Sequence, residues 1–423
     1  MAGRGGKRGE WSDIWAARSA RDLRADTVEL LRGELAEQVN GQRSFSAQRI
    51  TNELMVKFLT LHNTGYGVNT ALALLHSGFG YPPQYAQQPG NGGAASGETT
   101  ALLHGLATRV LTDDVARLAD AKLYTLSPEL CDVVMAAAAS LTDDDCTLIR
   151  AGDMPSPTGL IMLPYSVHSQ PGSGEPGDFQ AVCWSEPPDL PVFDPQRPRE
   201  LRYLPGLQLS TYCDPTETVA DGSRQQLQHR AEQQGAQLPS LLYSGARTLI
   251  LADDEQVPTG IVEALLENAV RSRQYAADLA RRAGMPEEEI AVEYEPGAAI
   301  PDPTNTFPLR FLYAFSRLCA QEIAVSERAK VTHGARLQSE RLQTSPDVNV
   351  VKLRRQRQQR EPGDPRFHSS VDWKTRWIVR MHKVRQWYPS ERRHKVLFRG
   401  PFVKGPGHLP IAPPKVTVTV VSR

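Results

Sequence analysis

The sequence predicts an α+β protein with a helical N-terminal region, a mixed α/β central region and a small basic antiparallel β unit at the C-terminus. Three observations carry this. Apolar residues recur at helical spacing through much of the first eighty positions. From about Gly159, short apolar runs separated by Gly- and Pro-rich turns give the pattern of strands, and further helical stretches follow. Toward the C-terminus, from Thr375, apolar and cationic side chains alternate with the period of two that belongs to a strand. Composition shifts set the limits: 1–79 helical, 80–99 a flexible linker, 100–346 a mixed central domain and 347–423 a basic β-rich region.

A chain of 423 residues is long enough for two or three domains with well-buried cores. No stretch approaches the ~18 uninterrupted apolar residues of a membrane span. The opening MAGRGGKRGEW is basic but lacks an apolar core, which argues against secretion and for a flexible arm. Five cysteines are widely separated and none has metal-ligand spacing, so free thiols in a reducing cytoplasm are expected and no metal is. Phosphate loops, dinucleotide fingerprints, zinc-protease motifs and nucleophile elbows are absent, so no cofactor is expected.

Taken in order, Trp11 to Val39 reads as a helix with Ile14, Leu23, Val28, Leu30, Leu31 and Leu35 as its buried stripe. Ser46 to Leu61 places Ile50, Leu54, Met55, Phe58 and Leu61 on one face, and Val68 to Leu75 is a short apolar helix. After the linker, Thr100 to Leu123 is helical. Ser127 caps a helix with Pro128 at its first position, and Thr142 with Asp143 to Asp145 opens another. Gly159 to Leu163, Phe179 to Trp184, Leu207 to Tyr212 and Thr248 to Leu251 are strands of an antiparallel sheet. Asp253, Asp254 and Glu255 then precede a helix from Thr259 to Ala283. They suit its positive N-terminus better than a Mg²⁺ site. Phe307 to Val325 is a core helix and Val348 to Leu353 a strand that runs into Arg354-Arg355.

Chemistry concentrates after Val371. Thr375 to Lys383 reads as a strand with Trp377, Val379 and Met381 on one face and Arg376, Ile378, Arg380 and His382 on the other. A Tyr388-Pro389-Ser390 corner turns the chain, Lys395 to Phe398 returns, and Lys415 to Val421 is a third strand. From Val371 onward twelve Lys or Arg face two acids; counted from Val351 the excess is +14. The neutral total therefore hides an acidic body and a basic end, for which an anion is the natural partner.

Val379, Arg380, His382, Gln386, Trp387, Tyr388, Pro389, Ser390, His394, Pro401, Gly405 and Pro406 together make this block resemble the C-terminal block of a family of uncharacterised actinobacterial proteins often encoded near mobile elements. That family's pattern runs roughly V-R-G-H-W-R-x-Q-W-Y-P-S, then His, Pro and Gly-Pro. Met381 stands in place of its Gly, and Lys383 and Val384 replace its Trp-Arg. The resemblance covers about the last tenth of the chain closely, and it implies a mobile-element setting without implying a reaction.

Three functions compete. In the first, Arg376, Arg380, Lys383, Arg385, Arg392, Arg393 and Lys395 bind DNA or RNA phosphates while Trp387 and Tyr388 stack on bases; the same rings also suit the core of a small sheet. In the second, a metal-independent ribonuclease, a hairpin brings His382, His394, Arg380 and Tyr388 together for acid–base attack by the RNA 2′-hydroxyl. In the third, a non-catalytic interaction scaffold, the acidic body and the basic end form a self-complementary or protein-binding surface with no nucleic acid involved.

Overall fold

The computed structural model describes residues 11–40, 44–63, 75, 97–171, 177–186, 190–194, 197–219, 222–251, 299–302, 306–321, 324–354, 377–379, 382–399 and 402–404. The chain divides into two compact units, 1–353 and 354–423. Most of the expected helix at Val68 to Leu75, the acids Asp253 to Glu255, the helix after them and the strand Lys415 to Val421 lie outside the described residues.

In the first unit the elements run α1 (Asp13–Val39), α2 (Phe45–Asn63), α3 (Gly97–Asp120), β1 (Lys122–Leu126), α4 (Pro128–Ala139), α5 (Asp143–Cys146), β2 (Thr158–Val167), β3 (Ser169–Pro171), β4 (Phe179–Ser185), β5 (Leu190–Asp194), β6 (Arg197–Leu204), β7 (Gly206–Cys213), α6 (Ser223–Gln233), β8 (Leu242–Ile250), β9 (Ile300–Asp302), α7 (Phe307–Ala320), β10 (Ala324–Arg328), α8 (His333–Leu342) and β11 (Val348–Leu353). A seven-stranded sheet in the order β10-β11-β1-β2-β4-β7-β8 organises them. The expected antiparallel run is present as β2-β4-β7-β8. At its other end the sheet is mixed, because β1 lies parallel to both β11 and β2.

Alternate residues of each strand serve opposite layers. On one side Ala17, Ala20, Val28 and Leu31 of α1 and Ala107, Leu111 and Leu118 of α3 share a buried cluster with Leu123, Leu160, Met162, Cys183 and Val348. On the other, Tyr124 and Trp184 stack at 5.7 Å and Phe315 of α7 meets them at 5.8 and 6.5 Å. Trp184 also donates its indole N–H to the Ser156 carbonyl at 2.8 Å. Its ring lies over Gly159, where a Cβ would fall inside the indole.

Several expectations shift. Ile14 of α1 is 82% exposed, and the face that packs is built from Ala16, Ala17, Ala20, Arg24, Val28 and Leu31. Small side chains let the helix approach the sheet, and α1 contacts both β1 and β11. Arg21 and Arg24 on this helix reach backbone carbonyls of Pro346 and Lys330, and of Ala121 and Ser345, respectively. Burial, with the Arg21 charge beside it, pushes the Arg24 guanidinium down to about 10.

The helix expected to reach Leu123 ends at Asp120, and Lys122–Leu126 is a strand. A strand buried on both faces shows a continuous apolar run, which periodicity does not separate from a helix. The core helix, expected to reach Val325, stops at Ala320, and Ala324–Arg328 is an edge strand that pairs with β11, its last three residues exposed. Val348–Leu353, expected with the basic region, is instead an inner strand of the large sheet. The start signals agree with the structure: Ser127 Oγ accepts from the Leu130 N–H at 3.2 Å, and Asp145 accepts from the Thr142 N–H at 2.9 Å.

Candidate nucleic-acid interface

The second unit is described for β12 (Trp377–Val379), β13 (His382–Tyr388), β14 (Arg393–Arg399) and β15 (Phe402–Lys404). β12 pairs antiparallel with β15, and β13 with β14. The corner that joins β13 to β14 follows from its residues. Pro389 supplies the φ of a turn's second position, and the Glu391 N–H donates back to the Tyr388 carbonyl at 3.2 Å. Arg392 then takes φ +49°, and Arg393 resumes the ladder opposite Tyr388.

Register decides which side chains meet. Directly paired residues share a face, and neighbours along a strand alternate. One face therefore carries His382 with Arg399, Val384 with Leu397, Gln386 with Lys395 and Tyr388 with Arg393. The other carries Lys383 with Phe398, Arg385 with Val396 and Trp387 with His394. On this second face Val396 and Phe398 are buried, so it packs inward at that end. At the turn end Trp387 is 48% exposed, with its ring 5.0 Å from the His394 imidazole and tilted by 59°.

Electrostatics on the first face centre on Glu391. Its carboxylate accepts from Lys395 at 2.6 Å and from Arg393 at 2.8 Å. The Lys395 hydrogen bond first, and the Arg393 one next, hold that carboxyl below the ordinary carboxylate value. Lys395 also sits 5.2 Å from the Tyr388 ring centroid, so this cation covers the ring.

The sequence-derived site residues separate accordingly. Lys383, Arg385, Trp387, Tyr388, Arg392, Arg393 and Lys395 all lie on one hairpin and its turn. Arg376 and Arg380 lie outside the described residues. The expectation that the hairpin unites the two histidines is corrected by the register. His382 pairs with Arg399 at the open end and His394 with Trp387 near the turn. They stand on opposite faces, five residue steps or roughly 17 Å apart along the ladder. Tyr388, on the face of His382, is six positions along β13 from it and lies under Lys395. No acid–base pair of imidazoles forms here.

Sequence reading missed Arg399, a further cation on this hairpin, and the clamp that Glu391 places on Arg393 and Lys395. The Glu391–Lys395 spacing of four was visible, but only the turn geometry brings the two together.

In the first unit two polar clusters stand out. Asp114 accepts from Tyr212 at 2.5 Å and from Arg117 at 3.1 Å, and Arg117 also donates to Ser210 and Gln208. Burial alone would lower the Arg117 pKa; Asp114 and Tyr212 outweigh it and raise the value. The neighbouring cleft, lined by Asp114, Arg49 and Tyr243, has about 10 Å³, room for about one water and no substrate. The second cluster joins His168 to Asp178 at 3.1 Å, and Arg224 to Asp178 at 3.3 Å and Glu217 at 2.7 Å. Arg224 occupies the space between the two carboxylates. Among the described residues no group of three or more His, Cys, Asp or Glu side chains is placed to hold a metal, and no helix is long and apolar enough to cross a membrane. No family model, curated protein or solved structure matches the chain.

Proposed function

We propose that this chain binds nucleic acid through its C-terminal β hairpin. One observation carries the reading: the eighteen residues His382 to Arg399 hold Lys383, Arg385, Arg392, Arg393, Lys395 and Arg399 against the single acid Glu391, on a ribbon that also presents Trp387. A cationic ribbon with an exposed ring offers charge for phosphates and a π-face for bases. The resemblance to the mobile-element-associated family supplies the proposed setting. The free thiols fit a reducing cytoplasm as the location.

The test is a titration of the full chain against labelled single-stranded and duplex DNA and RNA at about 50 and about 200 mM salt. With Arg393 and Lys395 held by Glu391, contacts from Lys383, Arg385, Arg392 and Arg399 make log affinity fall against log salt with a slope of about −3 to −4. Changing Arg385, Arg392 and Arg393 together to Ala should halve that slope. Absence of binding, or binding indifferent to salt, overturns the proposal.

A further inference from the structure

We infer that the tip of the hairpin is a site for single-stranded nucleic acid, with one unpaired base stacked on Trp387 and an adjoining phosphate held by Arg392. This rests on the nucleic-acid reading above and adds the substrate class.

The first observation is in the backbone. Arg392 has φ +49°, the left-handed region in which a Cβ is crowded and which glycine enters freely. Glycine would relieve the turn, yet an arginine stands there. The side chain is exposed, and among the described residues it makes no hydrogen bond or ion pair that would offset the strain. Strain held at an exposed cation points to a contact made with something outside the chain.

The second observation concerns the rings and charges at the same end of the ladder. Arg393 and Lys395 are both bound to Glu391, and Lys395 covers Tyr388. Trp387 remains half exposed, steadied on one flank by His394. The tip therefore presents one accessible indole and one uncommitted guanidinium. In a duplex the bases are stacked on each other and show only their edges in the grooves. An unpaired base has a free π-face, and every base has one, so the pairing of Trp387 with Arg392 suits a single strand of mixed sequence. DNA and RNA share this chemistry.

The experiment measures binding of the full chain to labelled oligo(dT), oligo(rU) and a duplex, each of about 20 nucleotides per strand. The wild type should prefer a single strand to the duplex at equal salt. Trp387→Ala should weaken single-strand binding by roughly 5- to 150-fold, the range of one base–aromatic stack, and change duplex binding less than about twofold. Trp387→Phe should restore most of the loss. Arg392→Gly should raise the melting temperature by relieving the strain while it lowers the single-strand salt slope by about 0.7. A loss with oligo(rU) alone would assign RNA as the ligand, and a loss with both probes would assign either strand chemistry. If the wild type binds nucleic acid but Trp387→Ala binds single strands as tightly, the inference is wrong and the nucleic-acid reading stands. If the wild type binds none of the probes, both fall.

Discussion

Replacing Glu391 with Gln should tighten nucleic-acid binding. In the hairpin the carboxylate takes one hydrogen bond from Lys395 and one from Arg393. Like any glutamate it is charged across neutral pH, and it competes with phosphate for two of the hairpin's six cations. Glutamine keeps the shape and removes the charge. Relative to ~1 M salt, where ionic contacts contribute little, each phosphate contact is worth roughly four- to sixfold at ~0.15 M. Releasing Lys395 should therefore improve affinity by about four- to sixfold and steepen the salt slope by about 0.8. The assay is an anisotropy titration at several salt concentrations, with a thermal melt of both proteins to verify that the hairpin persists. A variant that melts like the wild type but binds no more tightly, with a parallel salt plot, would show that Lys395 does not reach the ligand.

Three further outcomes test the structure beneath that surface. Gly159→Ala should cost about 1–3 kcal/mol or more in urea unfolding, because the new methyl has to displace the buried Trp184 indole from its place over the strand. Asp114→Asn should cost about 3–5 kcal/mol by the same measurement, since it leaves Arg117 buried with no anion beside it. His168 is raised above its ordinary pKa, first by its hydrogen bond to Asp178, while partial burial and the Arg224 charge oppose the rise and Glu217 assists it. A raised folded-state value means that this contribution to stability is complete below the unfolded value near 6.5 and disappears as pH climbs through the folded one. The wild type should accordingly lose more melting temperature between about pH 6 and pH 8.5 than His168→Gln does; equal losses would show that His168 does not bear this linkage.

Local events were legible from the chain alone. Ser127-Pro128 and Thr142-x-x-Asp145 start helices wherever they stand, because cap and first turn are neighbours in the chain. Pro389 turns the hairpin for the same reason, and the surplus of cations after Val371 needs only counting. Short apolar runs bounded by turn-rich segments were likewise enough to foresee β2, β4 and β7 as antiparallel strands. Tertiary structure decided everything that depends on what a segment faces. A run such as Leu123 to Leu126 becomes a central parallel strand because β2 and β11 flank it, and nothing local separates that from the last turn of a helix. α1 buries alanines and Arg24, since the loops and sheet opposite supply carbonyls and a close surface instead of a pocket for Ile14. The same logic divides the candidate site. Composition could name Trp387, His382, Arg392 and His394, but a shift of one residue in strand pairing exchanges the faces of every side chain. Only the pairing of Trp387 with His394 sets the two histidines on opposite faces and leaves the tryptophan at the end of the ladder whose turn holds the strained arginine.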